Sequence, residues 1–181
     1  MIKHYIILAF IGIASVSCTN TSKNTIYRTD FSKKENTILK EARSSIEATA
    51  FVSLITLDNK AQPRARVMEF FQPDETFEIW MGTNPKSRKV AQIKNNSTTT
   101  LHFFDQSKMA YVSLMGKAYI VNDEKTKASK WKDGWEKFYP NKTSDYMLIR
   151  FVPEKLEFIG IVKGFTGDKD TWAPHQVILR N

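Results

Sequence analysis

Turn residues cut the sequence between Phe51 and Val162 into short runs of β-forming side chains, and this punctuation restricts the fold more than any other feature. Phe51 to Leu57 is the first run, closed by Asp58-Asn59-Lys60. The second starts near Pro63 and ends at Gln72-Pro73-Asp74-Glu75. Phe77 to Met81 is the third. Thr98 to Phe104 and Ala110 to Val121 face each other across the hairpin loop Asp105-Gln106-Ser107-Lys108. Asp145 to Val152 is a sixth run, and Leu156 to Val162 a further one. Hydrophobic runs separated by Asn, Asp, Gly and Pro are the signature of hairpin-connected strands. Seven or so of them, with two or three helices, predict a mainly β, α+β chain: a small antiparallel barrel with helices at its ends.

Three segments carry helical spacing. In Glu35 to Ala48, Ile38, Leu39, Ala42 and Ile46 recur on one face, as in a helix capping a core. Asn122-Asp123 is a capping signal for a helix from Glu124 to about Phe138, with Ala128, Trp131, Trp135 and Phe138 as its buried stripe. The third follows Gly82-Thr83. Asn84 is a good N-cap, Pro85 suits the first helical position, and Val90 and Ile93 form the apolar stripe.

The charges on that third helix are misplaced. Lys86, Arg88 and Lys89 lie at or near the positive end of the helix dipole, each at a cost of about 0.3–1 kcal/mol when exposed. Free N–H groups at a helix start attract anions, and Ser87 Oγ, Arg88 and Lys89 would complete a phosphate site. A solvated basic turn is the alternative. On the second strand Arg64, Arg66 and Met68 share one face by the period of two. The two arginines are either ordinary ion-paired surface or further donors for the same anion. His102, in an apolar strand without metal-spaced partners, is expected to be packed rather than a ligand.

The first 17 residues read as a signal peptide: a basic Met1-Ile2-Lys3-His4, an apolar Tyr5 to Ala14, then Ala14-Ser15-Val16-Ser17-Cys18. The small residues before Cys18 resemble a bacterial lipobox, with Ser15 where that motif usually has Leu. The resemblance implies lipidation at Cys18 and a place in the bacterial cell envelope, lipid-anchored on the periplasmic side; plain secretion and an uncleaved anchor are the alternatives. Residues 18–34 read as a polar tether and 35–181 as one domain. Cys18 is the sole cysteine, so no disulfide can form within the chain.

The order of these pieces resembles a known family. An arginine-bearing strand, a turn, a strand, then Thr83-Asn84-x-x-Ser87-Arg88-Lys89 and a short helix is similar to the FMN-binding split β-barrel of pyridoxamine 5′-phosphate oxidase. The Tyr111 to Ala118 strand fits too, and the Trp-containing helix, Phe138-Tyr139-Pro140 and Asp145 to Arg150 are most similar to the general-stress-protein branch of that superfamily. The likeness spans about Ile38 to Phe158. It implies FMN at the interface of a homodimer. By position Arg66, Val67 and Met68 match the first flavin-contacting strand, Gly82 and Thr83 the second, and Ser87, Arg88 and Lys89 the phosphate turn. Tyr111 stands where the oxidase has a glutamine beside the flavin. Two departures stand out. The first strand runs Arg66-Val67-Met68-Glu69-Phe70-Phe71 without the oxidase's lysine, and the oxidase's C-terminal Arg-x-His element is not evident. The resemblance thus implies flavin binding without pyridoxamine phosphate oxidation.

Two function classes follow: an envelope-tethered FMN-dependent oxidoreductase, or a non-enzymatic module that sequesters flavin or another anionic ligand. A deazaflavin or haem is a third ligand reading, because related barrels use them. No Ser-His-Asp set, metal cluster or reactive cysteine is evident. The net charge of +8 is carried by dispersed lysines outside any nucleic-acid-binding motif, so no nucleic-acid partner is expected. An anionic membrane surface is the simpler use of that charge.

Overall fold

The computed structural model describes residues 26–181. The signal peptide, Cys18 and most of the expected tether lie outside the described residues. From Tyr27 onward the chain is docked on its own C-terminus: Tyr27 bridges Arg180, and the Arg28 N–H donates to the Leu179 carbonyl at 2.8 Å. Helix α1 (Lys33–Glu47) then begins with a capping box. Ser32 Oγ accepts from the Glu35 N–H at 3.2 Å, and the Glu35 carboxylate accepts from the Ser32 N–H at 2.8 Å. Its Ile38, Leu39, Ala42 and Ile46 are buried, as their spacing predicts.

Seven antiparallel strands follow: β1 (Phe51–Leu57), β2 (Pro63–Glu69), β3 (Ile79–Thr83), β4 (Thr98–Asp105), β5 (Ala110–Val121), β6 (Met147–Gly160) and β7 (His175–Ile178). They pair in the order β2-β1-β4-β5-β6-β3, with β7 also on β6. The sheet curls until its two ends meet. Phe71, just past β2, bridges Trp80 of β3, and its N–H donates to the Trp80 carbonyl at 2.8 Å. Elsewhere the edges of β2 and β3 are not paired to one another, so the barrel is split along that line. Helix α2 (Arg88–Asn95) leads from β3 back to β4. The core holds the inward residues of every long strand, among them Leu54, Leu101, Leu114 and Phe151, all fully buried. The fold expected from the sequence, an antiparallel split β-barrel with flanking helices, is the fold observed.

Three local expectations are corrected. First, the runs at Asp145–Val152 and Leu156–Val162 are one strand, β6. Pro153 lies inside it opposite Gly116, where the register with β5 shifts by one residue. A bulge tolerates a residue without an N–H. A Cβ on Gly116 would collide with the backbone of Val152 and Pro153, so the glycine permits the close crossing. Second, the expected helix from Glu124 to Phe138 is only α3 (Glu124–Ser129), followed by a loop and a single 3₁₀ turn at Trp135–Lys137. Gly134, at φ 86°, makes the reversal that a continuing helix forbids. Trp135 is buried, but Ala128 is exposed and Phe138 is 69% exposed. Lys127 is buried instead, donating to Glu124 and to the Thr143 carbonyl. Third, Asn84 opens a turn rather than a helix. Its side-chain oxygen accepts from the Lys86 N–H at 2.9 Å and its carbonyl from the Ser87 N–H at 3.0 Å. The helix starts at Arg88, with Ser87 at its N-cap.

Candidate functional site

The split between β2 and β3 is a groove of about 290 Å³. Val67, Met68 and Glu69 come from β2, Gly82 from β3, and Lys89 from the first turn of α2. Phe51, Trp135, Phe138 and Tyr139 complete it. Both flanking strands are edges, and an edge strand presents backbone N–H and C=O groups free for a ligand.

Cations gather at one end of the groove. Arg66 points inward from β2 and is fixed there: one guanidinium nitrogen donates to Thr56 Oγ1 at 2.6 Å, the other to Gln92 Oε1 at 2.8 Å. Thr56 Oγ1 in turn donates to Gln92 Oε1 at 2.7 Å. Arg88 and Lys89 open α2 beside it. Among the described residues none of the three pairs with a carboxylate, although nine ion pairs form elsewhere. The consequence is mutual strain. Burial pushes the Lys89 ammonium down from its ordinary pKa, and the Arg66 charge pushes the same way. Burial and Arg88 likewise lower Arg66. Ser87 leaves the helix start open: its Oγ meets Thr83 Oγ1 at 3.1 Å and caps no N–H of α2. The uncapped helix start and Lys89 thus adjoin the groove.

The sequence-derived candidates divide accordingly. Val67, Met68, Gly82 and Lys89 line the groove. Arg66 stands at its cationic end, while Thr83 is buried beneath the turn and Ser87 bonded to it. Arg88 faces a separate cavity with Arg64. Arg64 takes the ordinary ion pair, 2.8 Å from Asp58. Tyr111 is not brought to the groove within one chain. It lies on β5, separated from β2 by β1 and β4, with its ring 5.5 Å from His102. His102 Nδ1 meets Ser113 Oγ at 2.9 Å, and burial lowers its pKa, as befits a packed histidine.

Four groove residues escape a reading of the sequence. Glu69 looks like a surface charge, yet it accepts from Trp135 Nε1 at 2.6 Å and from Lys132 Nζ at 2.9 Å. Burial pushes its carboxyl up, but these bonds outweigh that and hold it below the usual range. Phe138 and Tyr139 come from the loop that replaces the expected helix. Burial, then Glu69, raises the Tyr139 phenol to about 12. Phe51 opens the first strand and is 60% exposed at the groove's rim.

Comparison with known proteins agrees with this fold. The family model described as "Pyridoxamine 5'-phosphate oxidase like" matches residues 38–158, well over half of the chain. No curated protein matches the sequence. Among solved structures, the chain is similar to a Clostridium acetobutylicum protein related to general stress protein 26 of B. subtilis, at 24% identity and TM-score 0.66. That match covers 78% of this chain and 94% of the other. General stress protein 26 from Bacillus anthracis str. Sterne is similar at 22% identity and TM-score 0.61, covering 77% and 97%. A pyridoxamine 5'-phosphate oxidase-related, FMN binding protein from Nostoc punctiforme PCC 73102 matches at 12% identity and TM-score 0.53, covering 86% and 100%. These structural likenesses carry the fold; the family match, over the same strands, turn and helix that build the groove, carries the kinship. The chain belongs to the pyridoxamine 5'-phosphate oxidase-like family.

Proposed function

We propose that this protein is an FMN-binding flavoprotein, a homodimer held at the cell envelope through lipidated Cys18, with oxidoreductase activity. The observation that supports the flavin most is Lys89 in a groove between two free strand edges, with Arg88 next to it on α2 and Arg66 near it, none of the three paired with a carboxylate among the described residues. A phosphate dianion supplies the missing counter-charge. The groove, apolar at Phe51, Val67, Met68 and Phe138, fits a flat ring system. The residues present therefore fit FMN.

Bound FMN supplies the electron and hydride exchange, and the protein supplies position and electrostatics. Lys89 holds positive charge in the groove and favours negative charge on a ligand there. Glu69 stays ionised and tied to Lys132 and Trp135, and Tyr139 stays protonated at neutral pH. Neither is free to shuttle protons.

The dimer is supported by the outer face of the sheet. Phe51, Val67 and Phe104 are exposed there by 60%, 67% and 55%. Tyr111 and His102 lie on the same face by register. Isolated exposed apolar residues are ordinary, but a row across neighbouring strands marks an interface. Through it Tyr111 of one protomer would approach the groove of its partner.

The test is the absorption spectrum of the full-length protein in detergent, titrated with FMN. Saturable binding with perturbed flavin bands supports the reading, and unchanged bands at saturating FMN overturn it. Reduction of bound flavin by a nicotinamide donor, followed by reoxidation, separates an oxidoreductase from a module that only sequesters flavin.

A further inference from the structure

The cationic cluster borders two spaces. The groove lies on the Lys89 side. On the Arg88 side is a larger cavity of about 430 Å³, between the turn after β1 and the exposed flank of α2. Arg64, Arg88, Asn59, Gln92 and Asn95 line it with two guanidinium groups and three amides. Gln92 is shared: it faces this cavity and also accepts from Arg66. Arg88 and Lys89 are consecutive on α2 and line one space each, and Arg66 is tied to Gln92 beside them, so the cations run from one space to the other.

Asp58 also lines the cavity and would repel a phosphate were it bare. It is not. It accepts from the N–H groups of Lys60 and Gln62 at 2.9 and 3.0 Å and from Arg64 Nε at 2.9 Å. A phosphomonoester ends at the cation line and has nothing to place in the cavity. A pyrophosphate bridge continues along the line, and a nucleoside beyond it meets amides able to pair with base edges.

We propose that the site takes a flavin dinucleotide, with the flavin in the groove, the pyrophosphate along Lys89, Arg66 and Arg88, and the nucleoside in the Arg64–Asn95 cavity. This rests on the flavin reading above. The experiment is parallel titration of the full-length protein with FMN and with FAD, read by equilibrium dissociation constants. FAD is expected to bind about tenfold more tightly, equivalent to one step of about 1.4 kcal/mol. Asn95→Ala, at an exposed position, should erase most of that advantage and leave FMN affinity unchanged. Asn59→Ala, in the turn after β1, should do the same. FMN binding with FAD no tighter, or variants that weaken both flavins equally, overturns the dinucleotide and leaves the flavin reading standing. Binding of neither flavin overturns both.

Discussion

Gly82 of β3 lies against the indole of Trp135: a Cβ built on the glycine would stand 2.5 Å from Trp135 Cζ3 and 2.8 Å from Cη2. The loop that carries Phe138 and Tyr139 to the groove is thus seated on a position with no side chain. Gly82→Ala must displace the indole or the strand, at about 1–3 kcal/mol. A lower urea midpoint and a shifted tryptophan emission are the expected outcomes. An unchanged midpoint and spectrum would show that the loop yields freely.

Lys89→Met separates stability from binding. The substitution removes a desolvated cation beside Arg66 and keeps a similar side-chain volume. The ligand-free protein should gain about 0.5–1 kcal/mol, as when strain at a binding site is relieved. FMN affinity should fall by about 10-fold or more, the worth of one charge-assisted hydrogen bond. Thermal melts without ligand and an FMN titration measure the two effects.

The affinity for FMN should pass through a maximum with pH. The phosphate gains its second charge near pH 6, so binding strengthens as pH rises through about that value. Lys89 loses its proton below the ordinary lysine pKa, because burial and Arg66 disfavour the charged form. Binding then weakens as pH rises through that lowered value. In the ligand-free protein the sign is opposite: the unfolded chain holds this proton more tightly, so discharge of Lys89 adds stability as pH rises. Titrations across pH 5 to 10 test the first statement, and melts over the alkaline half test the second.

Glu69→Gln should loosen the Lys130–Tyr139 segment without unfolding the barrel. A neutral amide can still accept from Trp135 Nε1, but Lys132 loses its ion pair. The expected cost is about 1 kcal/mol. Faster amide exchange confined to residues 130–139 would be the sign, and exchange rising equally throughout the sheet would contradict a local role.

Phe104→Asp tests the assembly. The side chain is 55% exposed on the outer face beside Tyr111, so a lone chain loses little from the change. A dimer through that face would bury an unpaired carboxylate and dissociate. Sedimentation should give a monomer for the variant and a dimer for the parent; equal masses would exclude this face.

Much of this architecture was legible because it depends on local chemistry. Period-two alternation and turn residues placed β1, β2, β4 and β5 nearly to the residue. Val90 and Ile93 gave the buried side of α2. What stayed hidden depends on contacts between distant segments. Pro153 reads as a strand break, and only Gly116 on the neighbouring strand makes it a bulge. Trp131 and Trp135 are four apart, as in a helix, yet they pack edge to face from a loop, their ring centroids 6.0 Å apart. Glu69 became a groove residue through partners 63 and 66 positions away. Asn84 misled because the same side chain favours turns and helix starts alike.

The bond between Ser87 and Thr83 has a further consequence. A hydroxyl spent on the preceding strand leaves the start of the helix without a side-chain cap, and the ligand proposed above would supply it. A ligand that docks there becomes part of the folded framework. At a concentration 100 times its dissociation constant it adds about 2.7 kcal/mol to the unfolding free energy. The resting population of intact protein would then follow the supply of that ligand, and resistance to proteolysis would report it before any turnover is measured.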